Sequence, residues 1–123
     1  MSDVAPLTIR STTPADIPVI LELVEGLAAY EKMSDEVIAT PARLNATLFG
    51  DSPDAHCVLG EADGEVVALA IYFYTYSTFL ARKGLHLEDL FVRDAFRGRG
   101  YGEQMLRYLA GIAVREECGR YEW

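Results

Sequence analysis

Glu88 and Asp89 interrupt an apolar run, Leu87-Glu88-Asp89-Leu90-Phe91-Val92, and Arg97-Gly98-Arg99-Gly100-Tyr101-Gly102 follows closely. A carboxylate inside an apolar strand is costly unless it meets a cation or hydrogen-bond donors, or holds its proton through a raised pKa. Such a group can attract an ammonium ion or accept a proton near neutral pH. A sheet with one solvated face, or an ion pair to arginine, is the purely structural alternative. Strand alternation would turn the two acids to opposite faces. In the loop, glycine at every second position permits positive φ and close backbone approach to a ligand. Successive N–H groups can cradle a pyrophosphate, with Arg97 and Arg99 adding charge. The alternative there is a tight strand-to-helix connection. G-x-G-x-x-G spacing is absent, and no Gly-Lys-Ser/Thr follows, so neither a dinucleotide fingerprint nor a P-loop is present.

These groups need a scaffold. Leu7–Arg10 reads as a short strand. Thr13-Pro14-Ala15-Asp16 is a helix start with a cap, a proline and an acid in register. Ile17, Ile20, Leu21, Val24, Leu27 and Ala28 then recur at helical spacing to about Glu31. Thr40-Pro41 opens a shorter helix through Leu44, Leu48 and Phe49. His56–Gly60 is a strand, Glu61–Glu65 a hairpin turn with Asp63-Gly64 at its tip, and Val66–Tyr76 the partner strand. A loop, Ser77–Gly84, leads to the strand Leu85–Val92. Met105, Leu106, Leu109, Ile112 and Ala113 mark a third helix from Tyr101, Gly119 stops it, and Arg120–Trp123 begins another strand. The expected order is β-α-α-β-β-β-α-β. The three middle strands are antiparallel, and the last helix returns the chain to make a final parallel pair.

At 123 residues the chain is one domain, 1–123, and half of it is hydrophobic, enough for a core. The formal net charge of −8 argues against a nucleic-acid surface and suits a cationic substrate or simply solubility. Met1-Ser2-Asp3-Val4-Ala5-Pro6 has neither a basic nor an apolar region of a secretory signal, and no apolar run is long enough to span a membrane. Cys57 and Cys118 lack CxxC spacing and fit reduced thiols of a cytoplasmic protein. Cys57 has no context of an activated nucleophile. His56 and His86 lack metal-ligand spacing, so no metal is expected, and His86 beside the acids reads first as an ordinary strand residue.

Leu87–Val92 followed by Arg97–Gly102 resembles the central motif of the GNAT superfamily of N-acetyltransferases, Arg/Gln-x-x-Gly-x-Gly/Ala. Ile9-Arg10 with Thr13–Asp16, Leu27-Ala28-Ala29-Tyr30-Glu31-Lys32, and Phe73–Phe79 are similar to the diamine branch, that of spermidine/spermine and thialysine acetyltransferases. The resemblance covers nearly the whole chain. It implies an α/β (α+β) fold with a mixed, mostly antiparallel sheet flanked by helices. Acetyl-CoA is the implied cosubstrate, and a small diamine, polyamine or lysine-like amine the implied acceptor.

By position, the resemblance assigns Leu90, Phe91 and Val92 to the strand backbone along the pantetheine, where one N–H would bond the thioester carbonyl. It assigns Arg97, Gly98, Arg99, Gly100, Tyr101, Gly102 and Glu103 to the pyrophosphate loop. Glu88 is the implied proton acceptor, acting through water. Tyr30, Glu31, Ser77, Thr78, Glu88 and Asp89 would bind the amine. The chemistry is consistent: an alkylamine is protonated at pH 7 and must lose a proton before attacking a thioester. Attack would be direct, within a ternary complex. Ser77-Thr78 resembles the thialysine type, and Phe79 replaces a tryptophan common in the branch. The family continues past Arg120–Trp123 with a helix, bearing a tyrosine acid, and further strands. The resemblance therefore predicts a chain lacking its C-terminal portion. An exposed sheet edge then favours a homodimer. A CoA-binding or self-associating module without turnover is the second reading.

Overall fold

The computed structural model describes residues 4–123, so Met1-Ser2-Asp3 of the N-terminal reading lie outside the described residues. Five strands form one sheet in the spatial order of the chain: β1 (Thr8–Ser11), β2 (His56–Ala62), β3 (Glu65–Ser77), β4 (Arg82–Val92) and β5 (Arg120–Glu122). Neighbours β1 to β4 pair antiparallel, and β4 and β5 pair parallel. Three helices complete the fold: α1 (Ile17–Tyr30), α2 (Pro41–Phe49) and α3 (Tyr101–Arg115). The expected order and pairing hold.

Alternation along the strands distributes the core. Val58 and Ala62 of β2, Ala68, Ala70 and Tyr72 of β3, and Leu85 and Leu87 of β4 pack with Tyr101, Met105 and Leu109 of α3. Their neighbours Cys57, Leu59, Leu69 and Phe91 face the other way, towards Ile20 and Leu23 of α1 and Leu48 of α2. Helices on both faces explain why β3 reads as a nearly continuous apolar run. Each fully buried leucine contributes about 2 kcal/mol of burial.

Thr13 caps as its sequence predicts: its N–H donates to Asp16, 2.9 Å away. The first turn, Pro14–Asp16, is a 3₁₀ turn, and the α-helix proper begins at Ile17. Arg10 grips both oxygens of Asp16, each at 2.9 Å, and also reaches Glu61 at 3.1 Å. This fork locks the start of α1 to β1, holds the Asp16 carboxyl below the usual carboxylate range and raises the guanidinium pKa. Thr40 accepts from the Arg43 N–H at 3.2 Å and starts α2. Two loops are shorter than their sequence suggests. Asp63 and Gly64 alone make the first hairpin turn, with φ of 54° and 77°, as the twist of a two-residue hairpin requires. β4 already begins at Arg82, because Arg82 and Lys83 pair with Ser77 and Tyr76.

Candidate active site

The register of β3 and β4 shifts between Ile71 and Tyr72. Ile71 faces Asp89 and Tyr72 faces Leu87, which leaves Glu88 as an extra, unpaired residue. This bulge corrects the expectation that the two acids point to opposite faces. Leu87 and Leu90 both pack on the α3 side, although they are three apart. The extra residue resets the alternation and takes both intervening acids off that face. Asp89 opposite Ile71 faces α1.

Past the bulge, the outer edge of β4 is open. β5 pairs only with Gly84, Leu85 and His86, so Leu87–Val92 has no second strand partner among the described residues. The Arg93 N–H donates to the Val67 carbonyl at 2.8 Å. Antiparallel alternation therefore turns Phe91 and Asp89 to β3, and the N–H groups of Leu90 and Val92 outward. The Val92 carbonyl, also outward, accepts from Arg97 Nε at 2.9 Å.

A cavity of about 340 Å³ lies along this edge, lined by Leu90, Phe91, Val92, Arg97, Gly98, Gly100, Tyr101 and Gly102, with Tyr30 and Glu31 across from them. Gly98 and Gly100 have φ of 76° and 82°, and a Cβ at either would meet no atom within 4 Å. Backbone conformation, not crowding, requires glycine there. Gly100 is the N-cap of α3, and no side chain caps that end. The first-turn N–H groups of α3 and the positive end of its dipole are thus free for an anion. Gly102 has ordinary helical φ, so only two of the three alternating glycines need their freedom. Tyr101 sends its side chain into the core, where its hydroxyl donates to the Ala5 carbonyl; only its backbone can face the cavity.

A second cavity, about 440 Å³, adjoins the first, and Leu27 and Glu31 line both. Asp89, Glu36 and Arg43 also line it. Burial raises the Asp89 pKa above the usual carboxylate value, reinforced by the charges of Glu88 and Glu31. The sequence had singled out Asp89 and Glu31 but neither Glu36 nor Arg43. Glu36 sits in a 3₁₀ turn, Ser34–Glu36, that no periodicity announces. Leu27, which also lines the first cavity, reads from sequence as an apolar position of the first helix and as part of the branch-like segment Leu27–Lys32, and Phe96 lines it too with no role assigned from the sequence.

The remaining candidates lie elsewhere. Arg99 reaches Asp63 at 3.9 Å and stacks on Phe96. Glu103 pairs with Arg107 at 2.8 Å. Neither lines the first cavity. Ser77 and Thr78 stand at the β3–β4 tip, five residues from Tyr72, which is roughly 17 Å along the strand. Ser77 Oγ there accepts from the Leu80 N–H at 3.3 Å. His86 packs against Phe73 with ring centroids 5.0 Å apart. Cys57 is buried, which pushes its thiol up to about 12 and removes it as a nucleophile.

A glycine loop at an uncapped helix N-terminus, an open strand edge and an adjoining carboxylate-lined groove lie together on this α/β fold. The chain belongs to the acetyltransferase (GNAT) family, whose model matches residues 23–123. It is 36% identical over 120 residues to a thialysine N-epsilon-acetyltransferase of Bos taurus, covering 91% of this chain and 70% of that protein. It is 37% identical over 117 residues to a human spermidine/spermine N(1)-acetyltransferase-like protein 1, covering 89% of this chain and 17% of that one. Among solved structures, an aminoglycoside acetyltransferase from an uncultured soil metagenomic sample, in complex with sisomicin, superposes with a TM-score of 0.80 at 13% identity. That match covers 95% of this chain and 76% of the other, and shows the fold. The chain is an acetyl-CoA-dependent N-acetyltransferase that acts on amines. The open Gly98–Gly100 cradle and the outward N–H groups of β4 fit a pyrophosphate and an amide-bearing arm.

Proposed function

We propose that this chain acetylates a primary amine of a small diamine, polyamine or lysine-like compound by direct attack within a ternary complex. The observation that carries this reading is the shared wall of the two cavities. Glu31 belongs to both, and Asp89 enters the second beside Leu90 of the first. An amine in the second cavity is therefore held by carboxylates next to the strand edge that would hold the thioester.

Bound acetyl-CoA supplies an activated acetyl thioester. The chain's residues do the rest. Gly98, Gly100 and the first turn of α3 would hold the pyrophosphate, with Arg97 beside them. Val92 N–H would bond the pantetheine arm. Leu90 N–H is the donor for the acetyl carbonyl oxygen, because it points outward and adjoins Asp89. Asp89 and Glu31 attract the ammonium. Glu88 accepts its proton through water, at the bulge where no ladder partner restrains its backbone. Acetylation of a panel of lysine, thialysine, spermidine and putrescine, followed by CoA release, tests the reading. No turnover with any of them by folded protein would refute it.

We also propose a homodimer in the cytoplasm. Tyr76 and Phe79 at the β3–β4 tip are 70% and 96% exposed, a cost that a second copy would remove. The unpaired thiols Cys57 and Cys118 suit a reducing compartment. A monomer by light scattering would refute the first point, and export of the protein in a fractionated cell the second.

A further inference from the structure

We propose that Tyr101 is a positioning residue for acetyl-CoA, and that its hydroxyl couples the N-terminal segment, residues 4–7, to the Gly98–Gly100 cradle at the start of α3. This inference rests on the reading of that cradle as the pyrophosphate site. A helix N-terminus holds an anion well only when its free N–H groups keep one direction. The loop before α3 does not supply that constraint. Gly98 and Gly100 both have positive φ, and even an added Cβ at either would meet nothing within 4 Å. No side chain caps the helix. The first turn is therefore held from the core side.

Tyr101 is the first residue of α3 and stands at the first cavity between Gly100 and Gly102. Its side chain runs away from that cavity: the residue is 1% exposed and belongs to the core on the α3 side of the sheet. The hydroxyl donates to the Ala5 carbonyl, 96 residues earlier in the chain. Ala5 and Leu7 pack against the same core. Leu7 also covers Gly60, where a Cβ would come within 2.9 Å of Leu7 Cδ1. Thr8 then enters the sheet opposite Glu61. The segment is thus pinned by β1 and Leu7 at one end and by Tyr101 at Ala5.

Packing alone asks only for an apolar side chain at this position. The hydroxyl adds a directional bond, and a buried hydroxyl left without a partner costs free energy. An anion that fixes the first turn of α3 also fixes the Tyr101 ring and, through its hydroxyl, the Ala5 carbonyl. Linkage makes the effect reciprocal: an ordered N-terminal segment favours the anion by the same factor. Anything that draws residues 4–7 away from Tyr101 therefore lowers the affinity for CoA.

The test uses calorimetry and hydrogen exchange on the full chain, with CoA and with pantetheine, which lacks the pyrophosphate. CoA should slow amide exchange in residues 4–7 of the unaltered protein, and pantetheine should not. Tyr101→Phe keeps the ring and removes the hydroxyl. It should weaken CoA binding about fivefold, the scale of one neutral hydrogen bond. Pantetheine binding should be unchanged, and the CoA-dependent slowing should disappear. A merely structural role would move both ligands together. Equal losses for both, unchanged CoA affinity, or slowing that persists in Tyr101→Phe would overturn the proposal. If the variant does not fold, exchange in the unaltered protein still decides: slowing by CoA alone sustains the coupling, and no effect at residues 4–7 overturns it. Should the unaltered protein bind CoA no more tightly than pantetheine, the pyrophosphate reading fails and the proposal with it. A preference for CoA that Tyr101→Phe retains in full overturns the proposal alone.

Discussion

Arg97 lies over the ring of Tyr30, with the guanidinium carbon 4.0 Å from the ring centroid. The same side chain donates to the Val92 carbonyl at 2.9 Å and approaches Asp94 at 3.5 Å. One arginine therefore ties the end of α1, the end of β4 and the glycine loop together along the wall of the first cavity. Stacking holds its planar head without consuming all its donors, so donors remain for a phosphate.

Arg97→Gln should weaken CoA binding by about tenfold, the usual effect of removing one charged hydrogen bond. Pantetheine, which lacks the pyrophosphate, should bind the variant and the unaltered protein alike. Titration calorimetry with both ligands checks this. A parallel loss for pantetheine would mean that Arg97 only shapes the cavity.

The glycines separate by conformation. Gly98→Ala or Gly100→Ala places a Cβ in a left-handed conformation and should cost about 1–2 kcal/mol of stability, though no atom blocks it. CoA affinity should fall with it, because the N–H groups lose their alignment. Gly102→Ala is different. Its Cβ would meet Leu90 Cδ2 at 3.9 Å and Val92 Cγ2 at 4.0 Å, ordinary contacts, and helix propensity should add up to about 1 kcal/mol. Thermal melts of the three variants rank them. A destabilised Gly102→Ala beside a neutral Gly100→Ala would contradict the backbone argument.

Much of this arrangement is legible in the sequence, for identifiable reasons. Thr13-Pro14 and Thr40-Pro41 fix two helix starts, and the β-branched and aromatic run Val66–Tyr76 reads as a long strand, which lies within β3. The alternating glycines announce a loop with left-handed backbone, and Gly98 and Gly100 adopt it. The bulge is not legible, because Leu87-Glu88-Asp89-Leu90 reads as regular alternation until Leu87 and Leu90 are seen on one face. Arg43 and Glu36 are hidden for another reason. Each looks like a solvated charge, and only the packing of α2 beside α1 brings them to one cavity. Ser77 and Thr78 illustrate a different case: a resemblance in sequence names them, and the β3–β4 hairpin carries them to its tip, where they line neither of the two cavities.

Glu88 and Asp89 should separate in kinetics. Glu88→Gln should lower kcat by roughly 10²-fold, the scale of a lost general base, with little change in amine KM. A change confined to KM would make Glu88 a binding group only.

Asp89→Asn should do the opposite to stability and to binding. Burial raises the Asp89 pKa, with Glu88 and Glu31 adding to it. Below the ordinary 3.8, the folded and unfolded chains both hold the proton, and charge contributes nothing. As pH rises above that value, the unfolded chain ionises first, so it binds fewer protons and folding is progressively disfavoured. Once pH passes the raised folded pKa, the penalty is constant. Neutral Asn removes it. Asp89→Asn should therefore melt at a higher temperature than the unaltered protein at pH 7, with a gain that shrinks towards zero as pH falls to about the ordinary carboxylate pKa. Its amine KM should rise, because the ammonium loses a carboxylate. Melting curves from pH 3 to 8 measure both the sign and the window. A lower melting temperature at pH 7, or a gain independent of pH, would show that Asp89 is held by structure and not strained for its site.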